Sequence, residues 1–484
     1  MSNFNIEKLV KHLVREPHER PWLEFKVNKD EPQMIGEDIS ALANAAAYCD
    51  RSHAYPIWGV NNDTHEIVGT AFNPHTKKIG NQDLEIWLRT QVSENGEYEF
   101  VCDEVEHKPV VVLIISRAVD HTVMFRHTEY IRVGSSTKKL NEVPNMKAQL
   151  WDHIRSTRFE ELPAMENLSL PEAVQYLDYA AYFDLQGKMI PTTAENIAHY
   201  LIEDHLMLQQ DDGQYLITNL GAMLLAKRLT PFSSVSRKAI RVVQYRGESR
   251  MEMLREKTED SGYAVCYENV IQFIEAIIPA SEIIEDGIRR TELAYPSIAI
   301  RETVANALIH QNFSLRGTGP LIEIFSNRIE ITNPGVPLVD VLRIVDNPPR
   351  SRNEKLAALM RRFHICEESG TGWDKIIISS ELRHLPTPKI SIYEDNMKVT
   401  LYSQMPFGDL LMEDKLWACY MHACIRFVEE KQMNNSSLRE RFGLDDSYKS
   451  NVSRVIKLAV EKNLIRPFDP ETAPRYMRYV PTWV

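Results

Sequence analysis

Three polar residues lie four positions apart in the segment RETVANALIHQNF, at Glu302, Asn306 and His310. Each four-residue step turns only about 40° around a helix of ~3.6 residues per turn, so the three side chains are expected on one helical face. A carboxylate on such a face can polarise an attacking water, and an amide oxygen is a hard ligand suited to Mg²⁺ that bridges phosphate oxygens. Taken singly, the same residues are also common on a solvated helix surface, so the segments that follow decide between the two interpretations.

Two later segments contain glycine where a ligand could approach the backbone. The strand-like run RIEIT leads into Asn333-Pro334-Gly335; proline is expected to end the strand, and glycine lets a flat ligand approach. The glycines of ESGTG directly precede the helical run WDKIIISS, and their N–H groups would favour phosphate at a helix N-terminus. Either segment could instead be an ordinary turn.

Between them, Arg352 could reach a phosphate or cover the surface. We favour the surface, with Ser351 as a helix cap.

In this order, AIRETVANALIHQNF, RIEITNPG and EESGTGWDKI resemble the ATP-binding domain of the GHKL superfamily, in the divergent branch found in bacterial and archaeal regulators. The resemblance covers about residues 290 to 380 and implies ATP and Mg²⁺ as cofactors. It implies that Glu302 is the general base of an ATPase and that Asn306 is the Mg²⁺ ligand. The cofactor-binding residues it implies are Asn306, His310, Asn333, Gly335, Gly370, Thr371 and Gly372. One departure concerns adenine: most of the superfamily has aspartate where this sequence has Asn333, whose amide oxygen must then face the adenine amino group.

The N-terminal region carries a second ordered set of motifs: WLEFK, ISALANAAAY, IWGVNND, EIVG and YIRVG. Over about residues 12 to 140 they resemble the Schlafen/AlbA-like nucleic-acid-binding domain. By that resemblance, Lys26, Arg132, Lys138 and Lys139 would contact phosphates, although each alone is commonly a solvated charge.

Some relatives with this domain are metal-dependent RNA nucleases with two glutamates five residues apart and a later aspartate. Glu19 and Glu24 keep that spacing, but the acid after Gly59-Val60 is displaced to Asp63. Clustered carboxylates could hold Mg²⁺ or Mn²⁺ for phosphodiester cleavage. The alternative is that Glu19 is an exposed charge and that Glu24 pairs with a neighbouring lysine.

The C-terminal segment 431–484 has ten lysines and arginines against six aspartates and glutamates, inside a chain of net charge −12. Its predicted order of helix, helix, helix and ribbon is typical of a winged helix. On the third helix, a major groove could be contacted by Lys449, Ser453, Arg454 and Lys457. The unit could equally serve in protein docking or dimerisation.

The totals limit the class of protein. A length of 484 residues indicates several domains. The six scattered cysteines form no CxxC pair, and no apolar run suits a membrane span or a secretory signal, so a cytoplasmic protein without a membrane partner is expected. The predicted fold is a multidomain α+β chain with four parts. They are a Schlafen/AlbA-like α/β domain (1–145), a helical or winged-helix connector (146–255), a GHKL-like two-layer α+β ATP-binding domain (256–405) and a winged-helix domain (412–484).

These features predict an ATP-binding, nucleic-acid-binding protein, with DNA preferred over RNA and a homo-oligomer expected. The first hypothesis is a transcriptional regulator whose DNA-binding state is controlled by ATP. The second is an ATP-gated, metal-dependent RNA or DNA nuclease in antiphage defence, and the third is an ATP-stabilised oligomeric scaffold. The sequence leaves open whether ATP is hydrolysed.

Overall fold

In the computed structural model, the chain divides into two compact units, residues 1–175 with 193–219, and residues 176–192 with 220–484. The structure describes residues 5–16, 18–156, 158–210, 212–285, 288–315, 317–348, 350–366 and 372–484, with the backbone alone for 156 and 281–292. Among the helices of these residues, none has a stretch long and apolar enough to cross a membrane.

The helices are, in chain order, α1 (Ile6–Leu13), α2 (Pro32–Tyr48), α3 (Leu84–Gln91), α4 (Pro144–Ser156), α5 (Leu170–Tyr176), α6 (Tyr179–Leu185), α7 (Ala194–Glu203), α8 (Asn219–Leu225), α9 (Tyr263–Ile277), α10 (Ser297–Ile309), α11 (Glu354–Arg362), α12 (Gly372–Leu382), α13 (Met412–Val428), α14 (Asn435–Arg441) and α15 (Lys449–Glu461). The strands are β1 (Leu23–Lys26), β2 (His53–Trp58), β3 (Lys78–Ile79), β4 (Gln82–Asp83), β5 (Tyr98–Val105), β6 (Lys108–Ser116), β7 (Met124–Phe125), β8 (Thr128–Val133), β9 (Ser136–Lys139), β10 (Pro163–Leu168), β11 (Met207–Gln209), β12 (Tyr215–Thr218), β13 (Ile240–Tyr245), β14 (Met253–Glu259), β15 (Ala280–Glu285), β16 (Ile288–Leu293), β17 (Leu321–Ile324), β18 (Arg328–Pro334), β19 (Lys389–Tyr393), β20 (Asn396–Tyr402), β21 (Ile465–Pro467) and β22 (Tyr479–Pro481). Helices and strands are mixed in both units, which agrees with the predicted α+β class.

The first unit is built on a sheet of strand order β1-β2-β6-β5, in which β1 and β2 are parallel and the other pairs are antiparallel. The run VVVLII of β6 is buried, as expected for a strand covered on both faces. The alanines of α2 are also buried, and their small side chains let the helix pack closely on the sheet. The segment HEIVGT has the composition of a strand, but it forms only an isolated bridge between Val60 and Ile67.

The second unit contains a sheet of strand order β14-β13-β17-β18-β20-β19. Strand β13 pairs in parallel with β17, and the other neighbours are antiparallel. The runs LIEIFS and RIEITN have the pattern of two paired strands, and this prediction is confirmed by β17 and β18. The sheet begins at Ile240 and includes both β13 and β14. Both strands start before residue 256, where the sequence placed the start of the ATP-binding domain. A parallel partner eighty positions away leaves no local signal in the sequence.

The apolar spacing of VCYENVIQFIEAIIPASEII predicts one long helix, but the helix in the structure is shorter. Helix α9 ends at Ile277, and Ala280–Glu285 forms strand β15, paired with β16. Pro279 explains the end, because proline lacks the N–H that a helix interior needs and restricts the residue before it.

The last part of the second unit consists of α13, α14, α15 and an antiparallel ribbon of β21 with β22. This order of elements agrees with the sequence prediction, while the winged-helix fold itself stays a prediction. Helix α14 begins with a capping box between Asn434 and Ser437, which satisfies backbone groups at its first turn.

Candidate functional site

Helix α10 carries the first of the predicted site residues into a cavity of about 700 Å³. Ile300, Val304 and Leu308 on this helix are fully buried, and each contributes roughly 1.5–3 kcal/mol when removed from water. Glu302 and Asn306 line the cavity, and His310, which caps the C-terminal end of α10, lines it as well. The structure therefore brings together the three residues that the four-residue spacing selected.

Gly372, the first residue of α12, closes on this part of α10. A Cβ atom at position 372 would lie 2.9 Å from Glu302 Oε2 and 3.5 Å from Asn306 Nδ2. The absence of a side chain thus lets the start of α12 approach the carboxylate and the amide directly. Gly370 and Thr371, the other residues expected in the phosphate loop, lie outside the described residues.

Glu302 and Asn306 have unusual surroundings for polar side chains. Burial raises the pKa of the Glu302 carboxyl, and the positive charges of Lys375 and Arg301 oppose that rise. Asn306 Nδ2 is buried and has no hydrogen-bond partner among the described residues. Because Nδ2 and Oδ1 exchange by a flip of the amide, this position can present either a donor or an acceptor to a ligand. An unsatisfied buried amide is costly unless something binds it, which fits a ligand at this end of the cavity.

Asn333 and Gly335 form another part of the cavity lining. Asn333 is 4% exposed, and its backbone still pairs with Met397 of β20. As expected, the strand ends at the proline: Pro334 is the last residue of β18, and Gly335 follows it outside the strand. Gly335 has φ +118°, and a Cβ there would lie 2.8 Å from Asn312 N. Only glycine suits this backbone conformation and this close approach.

Arg352 is a cavity residue, although the sequence favoured a surface role. Its guanidinium donates to Val336 O at 2.7 Å and to His310 O at 3.4 Å. It thus joins the end of α10 to the segment that follows β18. The pKa of His310 falls to about 4, mainly because the ring is buried and also because the positive charge of Arg352 lies nearby. His310 is therefore neutral near neutral pH.

Asn353, which the sequence analysis missed, caps the same helix end. Its Nδ2 donates to Ile309 O at 2.7 Å and to Gln311 O at 2.8 Å, so it satisfies carbonyls that the helix leaves free. Asn353 is also the N-cap residue of α11, so the expectation that Ser351 caps this helix is wrong. The position of Asn353 directly before a helical run was the only available signal.

In the first unit, two of the predicted phosphate contacts are not available to solvent. Lys26 is 4% exposed and is paired with Asp38 and, at 3.4 Å, with Glu24. Arg132 is 3% exposed and lies 3.2 Å from Glu24 Oε2 and 3.7 Å from Glu19 Oε2. A direct role of Lys26 and Arg132 at a nucleic-acid phosphate is therefore contradicted, because both charges are buried against carboxylates of their own unit.

Burial and the neighbouring Glu24 charge raise the pKa of Asp38 to about 6. This cluster of buried charges explains why Glu24 is better described as an ion-pair partner than as an open metal ligand. Glu19 Oε1 also accepts the Phe25 N–H at 2.9 Å.

Asp63 does not complete a metal centre with the two glutamates. It is exposed and lies in a turn in which its N–H donates to Asn61 Oδ1 at 2.8 Å. Within the part of the chain that the structure describes, no group of three or more His, Cys, Asp or Glu side chains could hold a metal ion. The predicted set Glu19, Glu24 and Asp63 is therefore not brought together. Lys138 and Lys139 on β9 are exposed, as a phosphate-binding role requires.

Two family models match this chain. Residues 19–141 match the Schlafen AlbA_2 family. Residues 317–401 match the family described as "Putative ATP-dependent DNA helicase recG C-terminal". Both predicted resemblances are confirmed, and the second match contains Asn333, Gly335 and Gly372 but begins after α10.

The search of curated proteins finds no match for the chain. A crystal structure of the DIP2311 protein from Corynebacterium diphtheriae is similar to the chain at 15% identity, with a TM-score of 0.43, over 98% of this chain and 97% of that one. The AlbA_2 and ATPase-type matches together support an ATP-binding, nucleic-acid-related function.

Helix α15 has one buried and one exposed face. Val452, Val455 and Ile456 are buried, whereas the predicted nucleic-acid-binding residues are all exposed: Lys449, Ser453, Arg454 and Lys457. Ser453 Oγ accepts a hydrogen bond from Asn435 Nδ2 at 3.0 Å, which joins the exposed face to the start of α14. Lys457 Nζ lies 3.8 Å from Glu461 Oε1, a pair that is exposed on both sides, so the basic side chains remain accessible to a polyanion.

Proposed function

We propose that the chain binds ATP in the α10 cavity and DNA through α15, and that nucleotide occupancy controls its nucleic-acid-binding state, as in a transcriptional regulator. The observation that carries the proposal is the meeting of Glu302, Asn306 and Gly372 at one end of the cavity. A carboxylate, an unpartnered buried amide and a side-chain-free helix start are the groups that a nucleotide triphosphate needs there.

The cavity also has the charge that an anion requires. Among the described side chains that line it, Arg350, Arg352 and Arg361 outnumber Glu302 and Glu354. His310 is neutral near neutral pH and adds no charge. The excess of basic groups in a partly buried site favours a polyphosphate over an uncharged ligand.

Asn306 is the residue that would hold Mg²⁺, with its amide turned so that Oδ1 faces the phosphates. Bound Mg²⁺ would neutralise charge on the phosphate oxygens. Glu302 would orient and deprotonate the attacking water. Burial raises the pKa of Glu302. As the pH is lowered, turnover should therefore be lost at a higher pH than it would be with a solvated glutamate as the base.

Binding and turnover can be separated with single variants. Trp373 lines the cavity, so its fluorescence reports occupancy beside calorimetry. With Mg²⁺ present, Asn306→Ala should weaken ATP binding, and Glu302→Gln should bind ATP while ADP release is lost. Glu99→Gln is the matched control, because Glu99 is an exposed glutamate on β5 of the first unit. A wild-type chain that binds no ATP would refute the proposal.

DNA binding is tested with a labelled duplex and the RNA of the same sequence. Replacement of Lys449, Arg454 and Lys457 by alanine should weaken binding and reduce the slope of log affinity against log salt by about 0.9 for each lost phosphate contact. Lys389→Ala, an exposed lysine on β19, is the matched control. An unchanged salt slope in the triple variant would assign nucleic-acid binding to another surface, and tighter RNA binding would reverse the proposed preference. Affinity for the duplex, measured with and without ATP, then tests whether nucleotide occupancy changes DNA binding.

A further inference from the structure

Helix α13 supports one wall of the α10 cavity. That wall is the segment 336–348, called here the wall segment, which includes a short 3₁₀ turn at Val341–Arg343. The hydroxyl of Tyr420 on α13 donates to Leu342 O in this turn. Trp483 Nε1 donates in turn to the Tyr420 hydroxyl at 3.1 Å, which fixes its orientation.

The wall segment has few apolar anchors of its own. Val336, Leu338 and Leu342 are 37%, 42% and 46% exposed, whereas Ile344 and Val345 are buried. A segment held by so little buried surface depends strongly on individual hydrogen bonds. The Tyr420 contact is thus well placed to set the position of the wall segment.

The same helix also packs against α12, whose first residue lines the cavity. Gly372 begins α12 beside Glu302, and Glu381 lies near its other end. Glu381 Oε2 lies 2.9 Å from Nδ1 of His422 on α13. An α-helix rises about 1.5 Å per residue, so the nine residue steps from Gly372 to Glu381 span roughly 13 Å between these two contacts.

His422 continues the connection into the next helix. Its Nε2 lies 3.2 Å from Oγ of Ser437, one of the two capping-box residues of α14. Helix α14 bonds to α15 through Asn435, whose side chain donates to Lys449 O and Ser453 Oγ. A continuous set of contacts therefore joins the cavity end of α12 to the basic face of α15.

We propose that Tyr420 and His422 are positioning residues of the nucleotide site, Tyr420 through the wall segment and His422 through Glu381 and α12. This inference rests on the proposed ATP binding. Nucleotide that favours one position of the wall segment and of α12 also favours one arrangement of α13 and α14. The coupling is reciprocal, so nucleic acid on α15 changes ATP affinity by the same factor.

The test compares variants that remove one polar group each. Tyr420→Phe keeps the ring and loses the hydroxyl. Thr482→Val is the matched control, because the Thr482 hydroxyl donates to Asn463 O and Leu464 O, outside the wall segment. His422→Leu removes the ring nitrogens, and His422→Asn keeps a donor near Glu381.

Two quantities are measured in the full chain: ATP affinity with Mg²⁺ by calorimetry, and amide hydrogen exchange of α14 and α15 with and without ATP. Tyr420→Phe should weaken ATP binding by about 2- to 10-fold, the range expected for one neutral hydrogen bond, while Thr482→Val leaves it unchanged. In wild type, ATP should slow exchange in α14 and α15. His422→Leu should lose that response, and His422→Asn should restore it in part.

The outcomes distinguish this inference from the proposed function. A wild-type chain that binds no ATP overturns both. A wild-type chain that binds ATP, with slower exchange confined to α10, the wall segment and α12, overturns the coupling alone. Equal ATP affinities for Tyr420→Phe and Thr482→Val overturn the positioning role of Tyr420. If His422→Leu loses the ATP-dependent slowing of exchange and His422→Asn recovers none of it, the positioning role of the contact between His422 and Glu381 is overturned.

Discussion

Gly372→Ala should damage the nucleotide site while leaving the fold intact. The added Cβ would lie 2.9 Å from Glu302 Oε2, about half an ångström inside a normal van der Waals contact. The neighbour is the end of a flexible side chain, so the free energy of unfolding should change by less than about 1 kcal/mol. A misplacement of ~1 Å in an active site can cost about 10²-fold in rate, so a shift of roughly half that size should cost on the order of 10-fold in ATP turnover.

The assay measures ADP release at saturating ATP together with urea-induced unfolding. Gly408→Ala is the matched control, because nothing lies within 4 Å of a Cβ there. The expected pattern is reduced turnover with an unchanged unfolding midpoint for Gly372→Ala, and no effect for Gly408→Ala. Wild-type turnover in Gly372→Ala would refute the contact with Glu302, and a large loss of stability would show that Gly372 serves the fold.

Three further predictions concern stability. Gly335→Ala should lower the free energy of unfolding by about 3 kcal/mol, because its positive φ and its close approach to a backbone nitrogen exclude a Cβ; an unfolding midpoint equal to wild type would contradict this. The His310 pKa of about 4 lies below the unfolded value of ~6.5. The contribution of His310 to the free energy of unfolding is therefore fully present above pH ~6.5 and is lost as the pH falls toward 4. Between pH ~7 and ~5, wild type should lose about 2 kcal/mol more stability than His310→Gln, and parallel pH profiles would refute the assignment. Lys26→Met should destabilise the chain by about 3–5 kcal/mol, because it leaves buried carboxylates without a cation, whereas the exposed Lys139→Met should be neutral in thermal unfolding; similar melting curves would restore a surface role to Lys26.

The sequence predicted those parts of the site that depend on local spacing. Glu302 and Asn306 share a helical face because four residues nearly complete a turn, and Gly372 was recognisable because it precedes a helical run. The cavity that joins them was expected only through the resemblance to a known ATP-binding domain. The roles of these residues in catalysis stay predictions.

The parts that failed depend on partners far away in the chain. The sequence offered a surface ion pair between Glu24 and Lys26, and only the fold shows that Lys26 is buried and that Asp38 also pairs with it. Arg132 meets Glu24 across 108 positions, a pairing that no local pattern encodes. Arg352 and Asn353 likewise act through backbone carbonyls of Val336 and the α10 end, and a carbonyl carries no residue-type signal.

The parallel pairing of β13 with β17 also has a consequence for biosynthesis. On a ribosome, β13 and β14 are made together and can form a local hairpin, while the other edge of β13 must wait eighty positions for Leu321. Closing such a long segment is slow, and each doubling of its length adds about 0.6 kcal/mol of entropic cost. Until residues 321–324 emerge, Val242 and Val243 lie in a strand with one unpaired edge, the type of surface that invites aggregation. We therefore expect chains cut short between β14 and β17 to be poorly soluble, and the yield of full-length protein to rise with slower synthesis or with chaperones that cover nascent strands.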